Sequence, residues 1–118
     1  MNDQQIEKEI QDKGLTAARI TPQDIENKIA AAYTFTADQA TQNCPQHESL
    51  KLLTIAVIVL RNGFVVTGES ACASPENFDA EIGAKIAYAN AKDKIWALEG
   101  YLLKDRLYQA SQPAQPPE

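Results

Sequence analysis

The chain has 118 residues, 44% of them hydrophobic and 23% charged, with a formal net charge of −5. This is one domain of ordinary globular composition, and its negative balance excludes a surface that attracts nucleic-acid phosphates as a whole. No apolar run approaches the ~20 residues that span a bilayer, and the N-terminus MNDQQIEKEIQDK lacks a signal-peptide core, so the expected residence is cytoplasmic.

Residues 3–13 (DQQIEKEIQDK) place Ile6 and Ile10 four apart, and Gly14 follows as a helix terminator. The spacing predicts a short helix with a thin apolar stripe, so segment 1–14 reads as a mobile N-terminal helix. Thr21 suits a helix N-cap, Pro22 the first helical position and Asp24 the positive end of the helix dipole. Ile25, Ile29 and Tyr33 then recur every four residues, which predicts a helix over 22–34. Residues 35–49 (FTADQATQNCPQHES) have no period and read as a loop with a turn at Cys44-Pro45. A structureless stretch of that length in a small domain is either functional or hides a short strand.

In LKLLTIAVIVLRNGFVVTGESACA, Asn62-Gly63 between two apolar runs predicts a hairpin with a two-residue turn. That turn pairs Arg61 with Phe64, Leu60 with Val65, Val59 with Val66, Ile58 with Thr67, Val57 with Gly68 and Ala56 with Glu69. Leu53, Ile55, Val57 and Val59 fall on one face, and Leu52, Ala56, Ile58 and Leu60 on the other. A two-stranded ribbon that is apolar on both faces does not stand alone in water. Helices can cover one face; an N-terminal strand or another copy of the chain must cover the other, which points to a homo-oligomer.

From Phe78 to Gln109 the pattern is helical, with Ile82, Ile86, Ala89, Trp96, Leu98, Leu102 and Leu107 supplying apolar contacts and Gly100 marking a bend or split. SQPAQPPE has little to pack, so 110–118 reads as a flexible Pro-rich tail. The expected fold is α+β: an antiparallel β-hairpin packed on a long C-terminal helix, with one or two short N-terminal helices, all in a single domain over 15–109.

Cys44 and Cys72 read as reduced thiols. Cys44-Pro-Gln-His47 has the spacing of two metal ligands but no evident further pair, so no metal site and no cofactor are expected. His47 has no catalytic partner in view, and there is no G-x-S-x-G, P-loop or H-E-x-x-H, so an enzyme is not expected. What stands out is the join ACASPENFDAEIG. Ser74, Pro75, Glu76 and Asp79 are explained by helix capping alone. The same geometry also offers backbone N–H groups to a phosphate, beside a strand made small by Gly68, Ser70, Ala71 and Ala73. Phe78 could stack on a base and Asn77 read its edge, while Glu76 and Asp79 repel an anion unless cations are near.

TAARITPQDIENKI, together with LRNGFVVTGESACASPENFDAEIGAKIAYANAKDKIWALEGYLL, resembles a small bacteriophage family named after gene product 49 of one phage and gene 66 of another, over roughly residues 15–108. That family looks related to Thoeris anti-defence protein 1. The resemblance implies a phage protein of the host cytoplasm that sequesters a cyclic nucleotide immune signal, of the glycocyclic ADP-ribose type or a cyclic oligonucleotide, without cleaving it. It implies self-association as dimers and hexamers, with ligand sites between protomers and no DNA or membrane partner. On that reading Phe78 and Asn77 contact the adenine, Asn90 completes a base contact, Ser74 donates to phosphate, and Arg19 and Arg106 neutralise the pyrophosphate; Asp105 weakens the basic patch. The alternative is a phage interaction protein that inhibits a host protein by direct contact.

Overall fold

The computed structural model describes residues 2–15 and 17–113. Helix α1 (Asp3–Asp12) opens on a capping box from Asn2 and Gln5, and Gly14 follows it with φ +68°. Helix α2 (Pro22–Lys28) opens on a second box: the Asp24 N–H donates to the Thr21 hydroxyl at 3.1 Å, and the Thr21 N–H donates to the Asp24 carboxylate at 3.0 Å.

The helix expected over 22–34 stops at Lys28, and strand β1 (Ile29–Thr36) replaces its second half. Ile25, Ile29 and Tyr33 fit a helical period, but Ala31, Tyr33 and Phe35 fit a strand period equally well. Pairing with the apolar hairpin decides between them, because β1 gains a full antiparallel ladder with Ile29 opposite Leu60 and Thr36 opposite Thr54. The 35–49 stretch therefore begins as strand, continues as a short helical turn α3 (Ala37–Ala40), and runs into a 3₁₀ turn at Glu48–Leu52.

Strands β2 (Leu53–Leu60) and β3 (Val65–Ala71) complete an antiparallel sheet of order β1-β2-β3. The hairpin register differs by one residue from the expected one. Leu60 N–H donates to Phe64 O and Gly63 N–H donates to Leu60 O, both at 2.8 Å, so the loop is Arg61-Asn62-Gly63 with Gly63 at φ +89°. This is the three-residue hairpin, a turn closed by a left-handed glycine. Val59 pairs with Val65, Ile58 with Val66 and Ala56 with Gly68. One residue of slip exchanges the faces of a strand, so Val66 and Gly68 point toward the helix layer instead of away from it.

Helix α4 (Ala80–Ser111) lies over one face of the sheet. It begins two residues later than expected, and Gly100 does not split it. Asp79 is its N-cap, accepting from Ile82 N–H at 3.0 Å, while Pro75–Asn77 form a separate 3₁₀ turn. The helix buries Gly83, Ala87, Ala91, Ile95 and Glu99, every fourth residue. Small side chains let it sit close on Ala56, Ile58 and Val66, with Ile25 closing the core. Ile82 and Ile86, expected to supply core contacts, are 57% and 46% exposed, and Leu98, Leu102 and Leu107 also face outward; Trp96 packs at the margin of the core. The proline-rich tail lies largely outside the described residues.

The other face of the sheet is open. Its rows run Ala31–Val59–Val65, Tyr33–Val57–Thr67 and Phe35–Ile55–Glu69. The N-terminal strand extends the sheet beside β2 and does not cover this face. The chain measures 60 × 45 × 20 Å with a radius of gyration of 19.2 Å, against about 13–14 Å for a compact domain of its length.

Candidate ligand site at the strand–helix join

Where β3 runs into α4, the chain encloses a cavity of about 200 Å³. Strand β2 supplies Thr54 and the turn before it Leu52, β3 supplies Ser70 and Ala71, and the turn before α4 supplies Asn77, Phe78 and Asp79. Ile82, Gly83 and Ile86 form the helix wall. Two of the residues expected at a site, Asn77 and Phe78, line this cavity, and Ser74 is next to it: Asn77 Nδ2 donates to Ser74 Oγ at 3.3 Å. Cys72, a free thiol, donates to Ser74 O at 3.2 Å.

The join offers an anion little. Asn77 N–H and Phe78 N–H donate to Ser74 O and Pro75 O, and Gly83 N–H donates to Asp79 O. Ile82 N–H is taken by the Asp79 carboxylate. No Lys or Arg is among the lining residues.

The remaining candidates lie elsewhere in the chain. Asn90 Nδ2 donates to Glu69 O at 2.9 Å, tying α4 to the outer strand. Arg106 is 27 residues beyond Asp79 on α4, about 40 Å along the axis. Arg19 donates to both oxygens of Glu7, through Nη1 at 2.7 Å and through Nη2. Its guanidinium holds the Glu7 carboxyl below its ordinary range, and Glu7 in turn raises Arg19.

Arg19 borders a second cavity, of about 370 Å³, with Trp96, Ile6 and Ile20. Its carboxylates, Asp3, Glu7 and Asp93, outnumber that one cation, which makes it a poorer anion site than the join. On the other flank of α2, Lys92 binds Glu26. Burial pushes the Lys92 ammonium down, and the Glu26 carboxylate more than restores it, so its net shift is upward.

His47 serves local structure: its Nδ1 accepts from Ser49 N–H at 3.1 Å and caps the 3₁₀ turn. Among the described residues no three His, Cys, Asp or Glu side chains converge on a metal position, and no helix is long and apolar enough to cross a membrane. Sequence reasoning missed Thr54 and Gly83. A threonine inside the apolar run LLTIAVIVL was the available signal, because every other residue of that run is apolar.

The fold thus defines a three-stranded antiparallel sheet with one long helix on one face and a small cavity at their junction. The chain belongs to the Phage protein (N4 Gp49/phage Sf6 gene 66) family, whose model matches residues 20–107. No curated protein and no solved structure matches it significantly.

Proposed function

We propose that this phage protein sequesters a cyclic nucleotide immune signal of the glycocyclic ADP-ribose type in the host cytoplasm, holding it without turnover at sites completed by a second copy of the chain. The observation that carries the reading is the cavity at the join, in a member of this phage family, walled by the Phe78 ring and the Asn77 amide. A stacking ring, an amide and neutral hydroxyls suit the recognition of a base.

The cations must come from outside the protomer, and α4 offers a route. One row of α4, adjacent to its buried row, reads Ile82, Ile86, Asn90, Lys94, Leu98, Leu102, Arg106. Ile82, Ile86, Leu98 and Leu102 in it are exposed. A second copy docked over the start of this row, on Ile82 and Ile86, lies beside Phe78 and is the source of the cations that the cavity lacks. The groove between Phe64, Val65, Leu98 and Tyr101 is a second exposed apolar patch on the same molecule.

Surface area supports assembly. The protomer exposes 8663 Å², whereas a monomer of this mass exposes about 6,300 Å².

Calorimetry with 1″–3′ and 1″–2′ glycocyclic ADP-ribose tests the reading, followed by heating of the bound fraction and a check that the released ligand is intact. Micromolar or tighter binding with intact release supports it. Release of a cleaved product would make the protein an enzyme. No heat with either isomer, and none with cyclic oligonucleotides, would reject it in favour of a protein-contact inhibitor.

A further inference from the structure

Among the described residues one buried side-chain polar atom has no hydrogen-bond partner: Oγ1 of Thr54. Thr54 is 3% exposed and lines the cavity at the join. It sits in the sheet row Thr36–Thr54–Ser70, three hydroxyls across the face that otherwise presents Ala56, Ile58 and Leu60 to α4. A hydroxyl buried without a partner is destabilising, and native structures rarely keep one without use.

The helix opposite is cut away at this point. A Cβ on Gly83 would stand 2.8 Å from Thr54 Oγ1 and 3.8 Å from Phe78 Cε2. The glycine therefore keeps a side chain out of the space between the hydroxyl and the aromatic ring and lets α4 close on the hydroxyl. The charge around it is set by Asp79 alone, whose carboxylate already accepts from Ile82 N–H.

We propose that this cavity takes the uncharged ring end of a ligand, a planar hydrogen-bonding heterocycle of the nucleobase class, with the Thr54 hydroxyl as its buried contact, while the phosphates of the same ligand stay outside. The identity of the ring rests on the nucleotide-binding reading above. The exclusion of phosphate rests on the absence of a lining cation, on the Asp79 carboxylate in the lining, and on the occupied N–H groups of Asn77, Phe78, Ile82 and Gly83. This reverses the expectation that the backbone beside Ser74 cradles a phosphate.

Thr54→Val is nearly isosteric and removes only the hydroxyl; Thr54→Ser keeps it. Thermal denaturation of the free proteins and calorimetry with 1″–3′ glycocyclic ADP-ribose, adenosine and inorganic pyrophosphate test the proposal. Free Thr54→Val should melt higher than the unaltered protein, by roughly 4 °C or more. It should also bind the cyclic nucleotide and adenosine about tenfold or more weakly, and Thr54→Ser should lie closer to the parent in affinity. Pyrophosphate should show no difference between parent and Thr54→Val.

A lower melting temperature for Thr54→Val would mean that the hydroxyl is already partnered and would overturn the proposal. Unchanged affinity in Thr54→Val, with tight binding by the parent, would overturn it while leaving sequestration standing. Failure of the parent to bind any nucleotide or nucleoside would overturn both.

Discussion

Replacing Gly68 by alanine adds one methyl group where the sheet and α4 are closest. The new Cβ would lie 2.3 Å from both Ala87 O and Ala91 N, and 2.9 Å from Ala91 Cα. All three are backbone atoms, so no rotamer relieves the clash. Carbon meets such atoms comfortably at about 3.5 Å, so α4 must retreat by about 1 Å at this point. A gap of that size forfeits a quarter to a half of the dispersion energy along the seam, where Ala56, Ile58, Ala87, Ala91 and Ile95 are all fully buried. The expected loss is about 3 kcal/mol or more, a large part of a domain's usual ~5–15 kcal/mol.

The same substitution at Gly100 is the control, since a Cβ there meets nothing within 4 Å. In an exposed helix interior it should stabilise by about 1 kcal/mol. Urea unfolding at one fixed protomer concentration should therefore place the two alanine variants on opposite sides of the parent midpoint. A Gly68→Ala protein as stable as the parent would refute the close approach of helix and sheet.

Other outcomes follow from the same geometry. Val57 is central in the open sheet face between Tyr33 and Thr67; if a further copy covers this face, Val57→Asp should dissociate that contact, and an unchanged sedimentation profile would reject that interface. Thr21→Ala removes the hydroxyl that caps α2 and should lower the urea midpoint by the equivalent of about 1 kcal/mol; no change would mean the cap is idle. Glu7 has its pKa held below the ordinary 4.5, chiefly by Arg19's hydrogen bond. A depressed carboxylate stabilises the fold fully above its unfolded value and loses that contribution as pH falls through the folded one. The docking of α1 should therefore loosen below about pH 4.5, seen in the Cα chemical shifts of residues 4–11, and Glu7→Gln should abolish that pH dependence; shifts indifferent to pH would show that the pair does not hold α1.

Where a local rule had no competitor, the sequence was a good guide. Thr21-Pro22 and Asp24 mark a real helix start, and Gly14 a real helix end. The long helix and the hairpin are also where the patterns place them. Failures came where two periods fit one segment. Ile29 and Tyr33 satisfy a helix, and Ala31, Tyr33 and Phe35 satisfy a strand; only the ladder to β2, more than twenty residues away, selects the second. Asn62-Gly63 signals a hairpin but does not fix whether two or three residues form the loop, and that choice decides which face Val66 and Gly68 occupy.

The helix core was misread for a different reason. Large apolar residues draw the eye, but the contact surface is the row of small ones, because closeness of backbones selects against bulk. At the join, Asn77 and Phe78 were singled out for their place beside a helix start, and both line the cavity. Thr54 was not, since its meaning depends on Gly83, twenty-nine residues later, lacking a side chain.

Ile82 and Ile86 belong both to the cavity wall and to the outward row of α4. Under the proposed docking, a second copy that covers these two side chains also lies along the mouth of the cavity. Ligand binding and assembly then act on the same two side chains and are thermodynamically linked. Whatever assembly adds to ligand affinity, ligand must add to assembly. Dilution below the self-association constant should weaken glycocyclic ADP-ribose binding, and saturating ligand should restore assembly at protomer concentrations where the free protein has dissociated. Sedimentation velocity across a dilution series, with and without ligand, measures both sides of the linkage. Tight binding that is the same at every protomer concentration would mean that one copy holds the whole ligand.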